Sequence, residues 1–223
     1  MTMRLFVQAL TKFTLGGVLC GALLFGPAGT FAYPAAWRFL AVLLIPMFLA
    51  GLCMMWKNPS LLAHRLQAKE ARGAQKSVIL GSGVLFIGGF VLAGLDFRFG
   101  WLPLPGWVSW LGVVLFLASY CLYGEVLREN TYLSRTIEVQ ENQTVVDTGL
   151  YGIVRHPMYA VTLVLFLSIP LILGSLIALV PFLLYPVLLV QRIRDEEAFL
   201  AEKLNGYTAY QQKVRYRLIP YLW

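Results

Sequence analysis

Residues 159–190, YAVTLVLFLSIPLILGSLIALVPFLLYPVLLV, form an apolar block without a charged side chain. One membrane-spanning helix needs about 20 apolar residues, so the block is too long for one span and too short for two ordinary spans with a loop. We therefore expect a tight helical hairpin that turns near residues 174–175. Pro170, Pro181 and Pro186 would bend its helices, which membranes tolerate where neighbouring helices satisfy the freed backbone groups. Since neither arm suffices as an isolated span, the hairpin should lean on other helices.

The composition of the 223-residue chain extends this interpretation to the whole protein. Hydrophobic residues make up 59% of it and charged residues only 13%, whereas charge is roughly a quarter of an ordinary soluble domain. These values exclude a soluble globular protein, and the abundance of large apolar side chains excludes intrinsic disorder. We interpret the formal net charge of +7 as a topology signal and expect no nucleic-acid partner. The sequence predicts an all-α polytopic membrane protein.

Four further apolar windows precede the block. They predict membrane-spanning helices at residues 5–25, 37–56, 77–97 and 107–127. Counting the hairpin as two, we expect about six passes in one structural domain. Its first part, residues 1–127, holds four helices, and its second part, residues 128–223, holds a polar connection, the hairpin and a C-terminal helical segment. An alternative for the first helix is a cleaved signal peptide, because Arg4 precedes it and residues 30–32 offer a weak cleavage site.

Basic residues between the spans predict the orientation. The second connection carries five of them, whereas the first and third connections carry one each, Arg38 and Arg98. Because Lys and Arg accumulate on the cytoplasmic side, we place the N-terminus and the polar segments 125–156 and 191–223 in the cytoplasm. The five basic residues are Lys57, Arg65, Lys69, Arg72 and Lys76.

The glycines and cysteines within the apolar helices favour packing over chemistry. The glycines follow no strand, which indicates close helix contact rather than a nucleotide-binding loop. The three cysteines lie in apolar runs without metal-ligand spacing, so we expect no metal site. The glycines in question are Gly17, Gly21, Gly81, Gly83, Gly88 and Gly89.

The candidate chemistry begins just before the hairpin, at DTGLYGIVRHPMY, residues 147–159. Pro157 suits the first position of a helix, so a helix should begin there. Its unpaired N–H groups, with Arg155 beside them, would form an anion site at the membrane surface. Gly149 would allow close approach of the backbone to a ligand or a positive φ. The alternative is that Arg155 and His156 are only interfacial residues flanking a membrane helix.

A second polar cluster, QRIRDEE at residues 191–197, follows the hairpin where the last apolar helix leaves the membrane. If that helix continues, Ile193, Leu200 and Leu204 line one apolar stripe, and Glu197 projects into its middle. A carboxylate in that position should be paired with a cation or should titrate. Solvated ion pairs along the helix explain the neighbouring charges but explain Glu197 poorly.

The C-terminal stretch offers a third candidate segment. Residues 205–206, Asn-Gly, can end the preceding helix, and Tyr207 and Tyr210 then recur at helical spacing before Arg215 and Arg217. One interpretation is packing on the membrane surface, with the basic residues near anionic headgroups. The other is a lid over a site, and the spacing does not decide between them.

The combined pattern resembles a known family in the order and spacing of its motifs. It is similar to the isoprenylcysteine carboxyl methyltransferase and phospholipid methyltransferase superfamily. The resemblance rests on Gly149-x-Tyr151-x-x-x-Arg155-His156-Pro157-x-Tyr159, the hairpin, Arg192-x-Arg194-x-Glu196-Glu197, and Gly206-Tyr207-x-x-Tyr210.

The resemblance implies an integral membrane enzyme that uses S-adenosylmethionine without a Rossmann domain and takes a lipophilic acceptor from the bilayer. The cofactor would lie between the start of the hairpin and the C-terminal helix, which makes residues 128–223 the cofactor-binding catalytic region. The cofactor's carboxylate suits a helix N-terminus, and its cationic groups suit carboxylates. The residues that the resemblance assigns to cofactor binding are Gly149, Tyr151, Arg155, His156, Pro157, Tyr159, Glu196 and Glu197.

Two arginines are candidates for orienting the acceptor. We favour Arg192, with Arg194 as the alternative, because a guanidinium group binds a carboxylate or phosphate bidentately. Methyl transfer is an in-line displacement, so positioning and desolvation should supply most of the catalysis. O-methylation of an isoprenylcysteine-like carboxylate is the leading activity, N-methylation of a phospholipid amine is the alternative, and a small thiol acceptor is the third.

Two other classes of protein stay open. A membrane sterol-type reductase would use NADPH and would need a site for a cofactor phosphate, for example among Lys57, Arg65, Lys69 and Arg72. A non-enzymatic transporter or lipid-binding protein would carry charged side chains at mid-membrane. We expect no acidic residue in the first four spans, which argues against coupled transport.

Overall fold

The computed structural model describes residues 3–66, 73–134 and 137–223. Within these ranges the chain is helical and has no strand, which confirms the all-α prediction. A short 3-10 turn, Gly149–Gly152, precedes the hairpin. The helices are α1 Met3–Ala28, α2 Pro34–Lys57, α3 Pro59–Leu66, α4 Gly73–Phe99, α5 Gly106–Glu129, α6 Pro157–Leu173, α7 Leu176–Lys203 and α8 Tyr207–Lys213.

Five of the described helices are long and apolar enough to cross a membrane: α1, α2, α4 from Lys76, α5 and α7. The first four agree with the predicted spans, each with a few more residues at its ends. The remaining arm of the hairpin, α6, has 17 residues and falls short of the usual length of a span. The chain is therefore a multi-pass membrane protein, and a sixth pass stays a prediction.

The hairpin turns where the sequence predicts. Gly174 ends α6 with φ +73°, a left-handed conformation that glycine adopts without a steric cost. Ser175 then caps α7, since its hydroxyl accepts a hydrogen bond from the Ala178 N–H at 3.2 Å. The helices continue through the three prolines of the block.

The expectation that neither arm suffices as a span is wrong for α7. This helix does not stop at the end of the apolar block, and it reaches 28 residues because it runs on into polar sequence. We call residues 176–190 its membrane-spanning part and residues 191–203 its polar extension. The second predicted motif therefore lies on the same helix as the second arm of the hairpin.

Glycines allow the closest helix contacts, as the sequence indicates. A Cβ on Gly89 would collide with the ring of Phe182, so α4 and α7 meet there. Gly81 likewise faces Leu188, whereas Gly83 and Gly88 face open space. Two contacts were not predicted, at Gly94 of α4 against the carbonyl of Leu24, and at Gly112 of α5 against the backbone of Ile172.

The end of the bundle that carries the hairpin turn is closed by polar contacts. The Tyr33 hydroxyl donates to the Leu173 carbonyl at 2.8 Å, and the Leu104 N–H donates to the Gly174 carbonyl at 2.8 Å. Asp96, a buried acid in α4, accepts from the Leu102 N–H at 2.7 Å. The expectation of no acidic residue in the first four spans is therefore wrong, because Asp96 lies in the third of them and Glu125 near the end of the fourth.

The opposite end gathers the predicted polar motifs. Lys12 of α1 donates to the carbonyl of Leu66 at the end of α3, and Arg65 donates to the Tyr123 hydroxyl of α5. The start of α6 and the polar extension of α7 lie at this end as well, since Tyr159 and Arg192 line one cavity together with Arg65 and Tyr123. Two of the five basic residues used for orientation, Lys69 and Arg72, lie outside the described residues, and the cytoplasmic assignment stays a prediction.

Candidate active site

Glu197 lies at the centre of the site, buried in the apolar stripe that the sequence predicts. Ile193, one turn earlier, is fully buried, and Glu197 is 4% exposed. The carboxylate accepts hydrogen bonds from Arg155 Nε at 2.7 Å and Arg217 Nε at 2.8 Å, and lies 3.2 Å from His156 Nε2. The carboxylate is thus paired with cations, as predicted, and its partners are the guanidinium groups of Arg155 and Arg217.

The setting of Glu197 lowers the pKa of its carboxyl group to about 2. Burial by itself would raise this pKa, because the charged form loses water. The hydrogen bonds from His156, Arg155 and Arg217 act in the opposite direction and outweigh it. Glu197 is therefore ionised at neutral pH and acts as a fixed counter-ion.

Residues 214–217, which we call the strap, bind directly to the Arg-His pair. The backbone N–H groups of Arg155 and His156 donate to the carbonyls of Tyr216 and Arg217, both at 2.9 Å. Arg155 Nη1 donates to the carbonyls of Val214 at 2.7 Å and Arg215 at 2.9 Å. The two interpretations of this segment were packing on the membrane surface and a lid over a site, and in the structure it packs against the Arg-His pair.

A second polar chain runs from α7 to α6. The Tyr159 hydroxyl donates to the Glu196 carboxylate and accepts a hydrogen bond from Arg192 Nε at 2.8 Å. The two predicted arginines therefore differ in position. Arg192 points towards α6, whereas Arg194 is exposed and lines no described cavity at this end.

Gly149 is required by both conformation and space. Its φ is +54°, and a Cβ would overlap the carboxylate of Glu129. That carboxylate accepts a hydrogen bond from the Leu150 N–H at 2.9 Å and so anchors the turn that leads into the motif. Glu129 was not among the predicted site residues, although its position at the end of a predicted span could have indicated a role.

Two tyrosines of α8, Tyr207 and Tyr210, face the same region and differ in bonding. The Tyr210 hydroxyl donates to the Tyr151 carbonyl at 2.7 Å. The Tyr207 hydroxyl is buried and finds no hydrogen-bond partner in the part of the chain that the structure describes. Burial, together with the charges of Glu197 and Glu196, raises the pKa of Tyr207 well above its usual value, so the hydroxyl keeps its proton. A buried hydroxyl without a partner is costly, and this one lines the polar cavity, so it is a candidate for ligand contact.

Two cavities meet at Tyr159. The polar cavity encloses about 90 Å³ between the connection after α5, the start of α6, the polar extension and α8. The apolar cavity encloses about 410 Å³ between α3, α4, α5, α6 and α7. Ser134, Met158, Tyr159 and Arg192 line both. Of the predicted site residues, the polar cavity is lined by Tyr151, Arg155, His156, Tyr159, Arg192 and Glu196.

Three predicted cofactor residues lie behind this lining. Glu197 holds Arg155 and His156 from the rear, Gly149 makes room for Glu129, and Pro157 begins α6. Their positions indicate that they shape the cavity from outside it. Among the described residues, no cluster of His, Cys, Asp or Glu could hold a metal ion.

Part of the chain is similar to a known family. Residues 110–202 match the model of the isoprenylcysteine carboxyl methyltransferase (ICMT) family, which confirms the resemblance predicted from the motifs. The matched stretch runs from α5 to the polar extension and contains all ten predicted site residues. The match covers less than half of the chain, and over that stretch the protein is similar to a family of integral membrane methyltransferases.

A curated relative points to a second class. The chain is 34% identical over 91 residues to the Delta(14)-sterol reductase TM7SF2 of Mus musculus. The match covers 40% of this chain and 22% of that reductase, so the chain spans a minor part of its length.

Proposed function

We propose that the protein transfers a methyl group from S-adenosylmethionine to the carboxylate of an isoprenylcysteine-like, membrane-embedded acceptor. The observation that carries the proposal is the contact of the polar and apolar cavities at Met158, Tyr159 and Arg192. A water-soluble cofactor and a lipophilic acceptor need separate entrances and one meeting point. Met158, Tyr159 and Arg192 form a wall shared by the two cavities, and this shared wall supplies the meeting point. It lies on the side that the basic residues predict to be cytoplasmic.

The residues of the polar cavity fit the cofactor. When bound, S-adenosylmethionine supplies a methyl group made electrophilic by its sulfonium. The Glu196 carboxylate suits the cofactor's cationic groups, and the Tyr207 hydroxyl is a donor that needs an acceptor. Arg155 and His156 line the same cavity and are held in place by Glu197, which we assign as a positioning residue.

The size of the polar cavity implies a movement on binding. Its 90 Å³ is well below the roughly 300–1,000 Å³ of sites for drug-sized ligands. Much of its outer wall comes from the connection between α5 and the 3-10 turn, including Tyr132, Leu133 and Val145. We expect this connection to shift outward when the cofactor binds.

Arg192 is the residue that we assign to orienting the acceptor. Its Nε is bound to the Tyr159 hydroxyl at the shared wall, which fixes the guanidinium between the two cavities. A carboxylate acceptor is already nucleophilic and requires no general base. N-methylation of a phospholipid amine, the alternative, would require removal of a proton before transfer.

A sterol-type reductase is the second candidate, and the match to the mouse reductase favours it. The two candidates differ in the nucleotide they bind. Wild-type protein in detergent should be stabilised by S-adenosylhomocysteine and not by NADPH, since a ligand at 100 times its Kd adds about 2.7 kcal/mol to the free energy of unfolding. Stabilisation by NADPH alone would overturn the proposal.

The activity itself is tested by methyl transfer. Labelled S-adenosylmethionine should label N-acetyl-S-farnesylcysteine as a base-labile ester, and Arg192→Ala should lower this turnover at least tenfold. Arg194→Ala, on the exposed side of the same helix, is the matched control and should retain it. Full turnover and unchanged acceptor affinity in Arg192→Ala would remove the assigned role of Arg192.

A further inference from the structure

Arg65 brings a second guanidinium group to the apolar cavity. It belongs to α3, a helix that sequence analysis did not predict and that lies outside the matched stretch 110–202. Its guanidinium donates to the Tyr123 hydroxyl and lies 5.2 Å from the centroid of that ring. The contact with α5 turns the Arg65 side chain towards the cavity, which it lines.

Arg192 faces the same cavity from α7. Both arginines are anchored through a tyrosine hydroxyl, Arg65 by Tyr123 and Arg192 by Tyr159. Among the described residues that line the cavity, none is acidic. The rest of the lining is mainly apolar and aromatic, and includes Phe86, Phe166, Tyr185 and Leu189.

We propose that Arg65 and Arg192 together bind the carboxylate of the acceptor, and that Arg65 makes this negative charge a requirement for binding. The apolar tail would lie along the rings of Phe86 and Phe166. An anion buried in apolar surroundings needs cationic partners, and guanidinium groups bind a carboxylate with directed hydrogen bonds. The proposal rests on the proposed function for the placement of the acceptor and adds the selection of its charge.

The test measures acceptor binding without cofactor, so that it does not depend on turnover. The probes are N-acetyl-S-farnesylcysteine and its carboxamide, which has the same tail and no charge, each titrated into the full-length protein in detergent. Wild-type protein should bind the carboxylate at least tenfold more tightly than the carboxamide. Arg65→Gln should lose most of this preference while binding the carboxamide as before, and Arg65→Lys should keep part of it.

Lys57 offers a control for the loss of one positive charge. Lys57→Gln removes one exposed positive charge at the same end of the bundle and should leave the preference unchanged. Equal affinity of wild type for the two probes would overturn the proposal, as would a preference that survives in Arg65→Gln. If Arg65→Gln and Arg65→Lys both lost affinity for the two probes equally, the role of Arg65 would be structural, and this result would also overturn the proposal. Failure of S-adenosylhomocysteine to bind would instead count against the proposed function.

Discussion

Glu197 connects three parts of the chain that are distant in sequence. Its carboxylate binds Arg155 before the hairpin and Arg217 in the strap, and it lies on α7 itself. Removing one partner of a buried ion pair costs about 3–5 kcal/mol, because the other charge stays buried. A neutral residue at this position should therefore loosen the site and the strap together.

The acid stability of the protein tests this role of Glu197. Because folding lowers the pKa from 4.5 to about 2, the ionised carboxylate stabilises the fold above pH 4.5, and this contribution is lost as the pH falls towards 2. Glu197→Gln should unfold at a lower temperature at pH 7, and its deficit relative to wild type should shrink between pH 5 and pH 3. Glu202→Gln, an exposed acid of the same helix, should follow wild type. A deficit that stays constant with pH would contradict the assignment.

The two tyrosines of α8 allow a paired test of ligand binding. Tyr207→Phe removes a hydroxyl without a partner in the described structure, so it should leave stability unchanged or raise it, and should weaken S-adenosylhomocysteine binding about tenfold. Tyr210→Phe removes a hydrogen bond to Tyr151 and should lower stability by about 1 kcal/mol. Thermal unfolding with and without the ligand measures both effects. Equal ligand affinity in Tyr207→Phe and wild type would exclude the hydroxyl from the site.

At the scale of elements, the packing of α5 on α6 depends on one glycine. A Cβ on Gly112 would lie 2.8 Å from the Ile172 backbone nitrogen, which cannot move without shifting α6. Gly112→Ala should lower the free energy of unfolding by roughly 1–3 kcal/mol. Gly124→Ala in the same helix meets open space and should stabilise the protein by about 0.5–1 kcal/mol. Thermal unfolding in detergent compares the two, and equal effects would refute this contact.

The sequence predicts elements better than it predicts their partners. The four spans and the turn at Gly174 follow from local apolar length and from one glycine, and both agree with the structure. The stripe around Glu197 follows from helical periodicity. Two contacts could not be predicted in this way, that of Arg217 with Glu197 and that of Glu129 with the turn at Gly149. Each joins residues about 20 positions apart, and no local sequence pattern indicates that they meet.

At the scale of the molecule, the orientation in the membrane is open to direct measurement. Glu202 lies at the site end of the bundle and Thr30 at the opposite end, and both are exposed. In a variant whose native cysteines are replaced by serine, a membrane-impermeant maleimide should label Thr30→Cys in intact cells. It should label Glu202→Cys only after the cells are permeabilised. The reverse pattern would refute the cytoplasmic assignment of the site.

The wall at Met158 and Tyr159 separates two cavities, and only the apolar one takes part of its lining from the first half of the chain. The polar cavity is lined by residues of the second half, most of them in the stretch shared with the family, whereas Arg65, Val78 and Phe86 of the apolar cavity precede that stretch. Substitutions in α3 and α4 can therefore alter one cavity without touching the other. In evolution, such a division would let relatives change the apolar cavity while keeping the polar one, and grafting α3 and α4 between relatives is the direct way to imitate it.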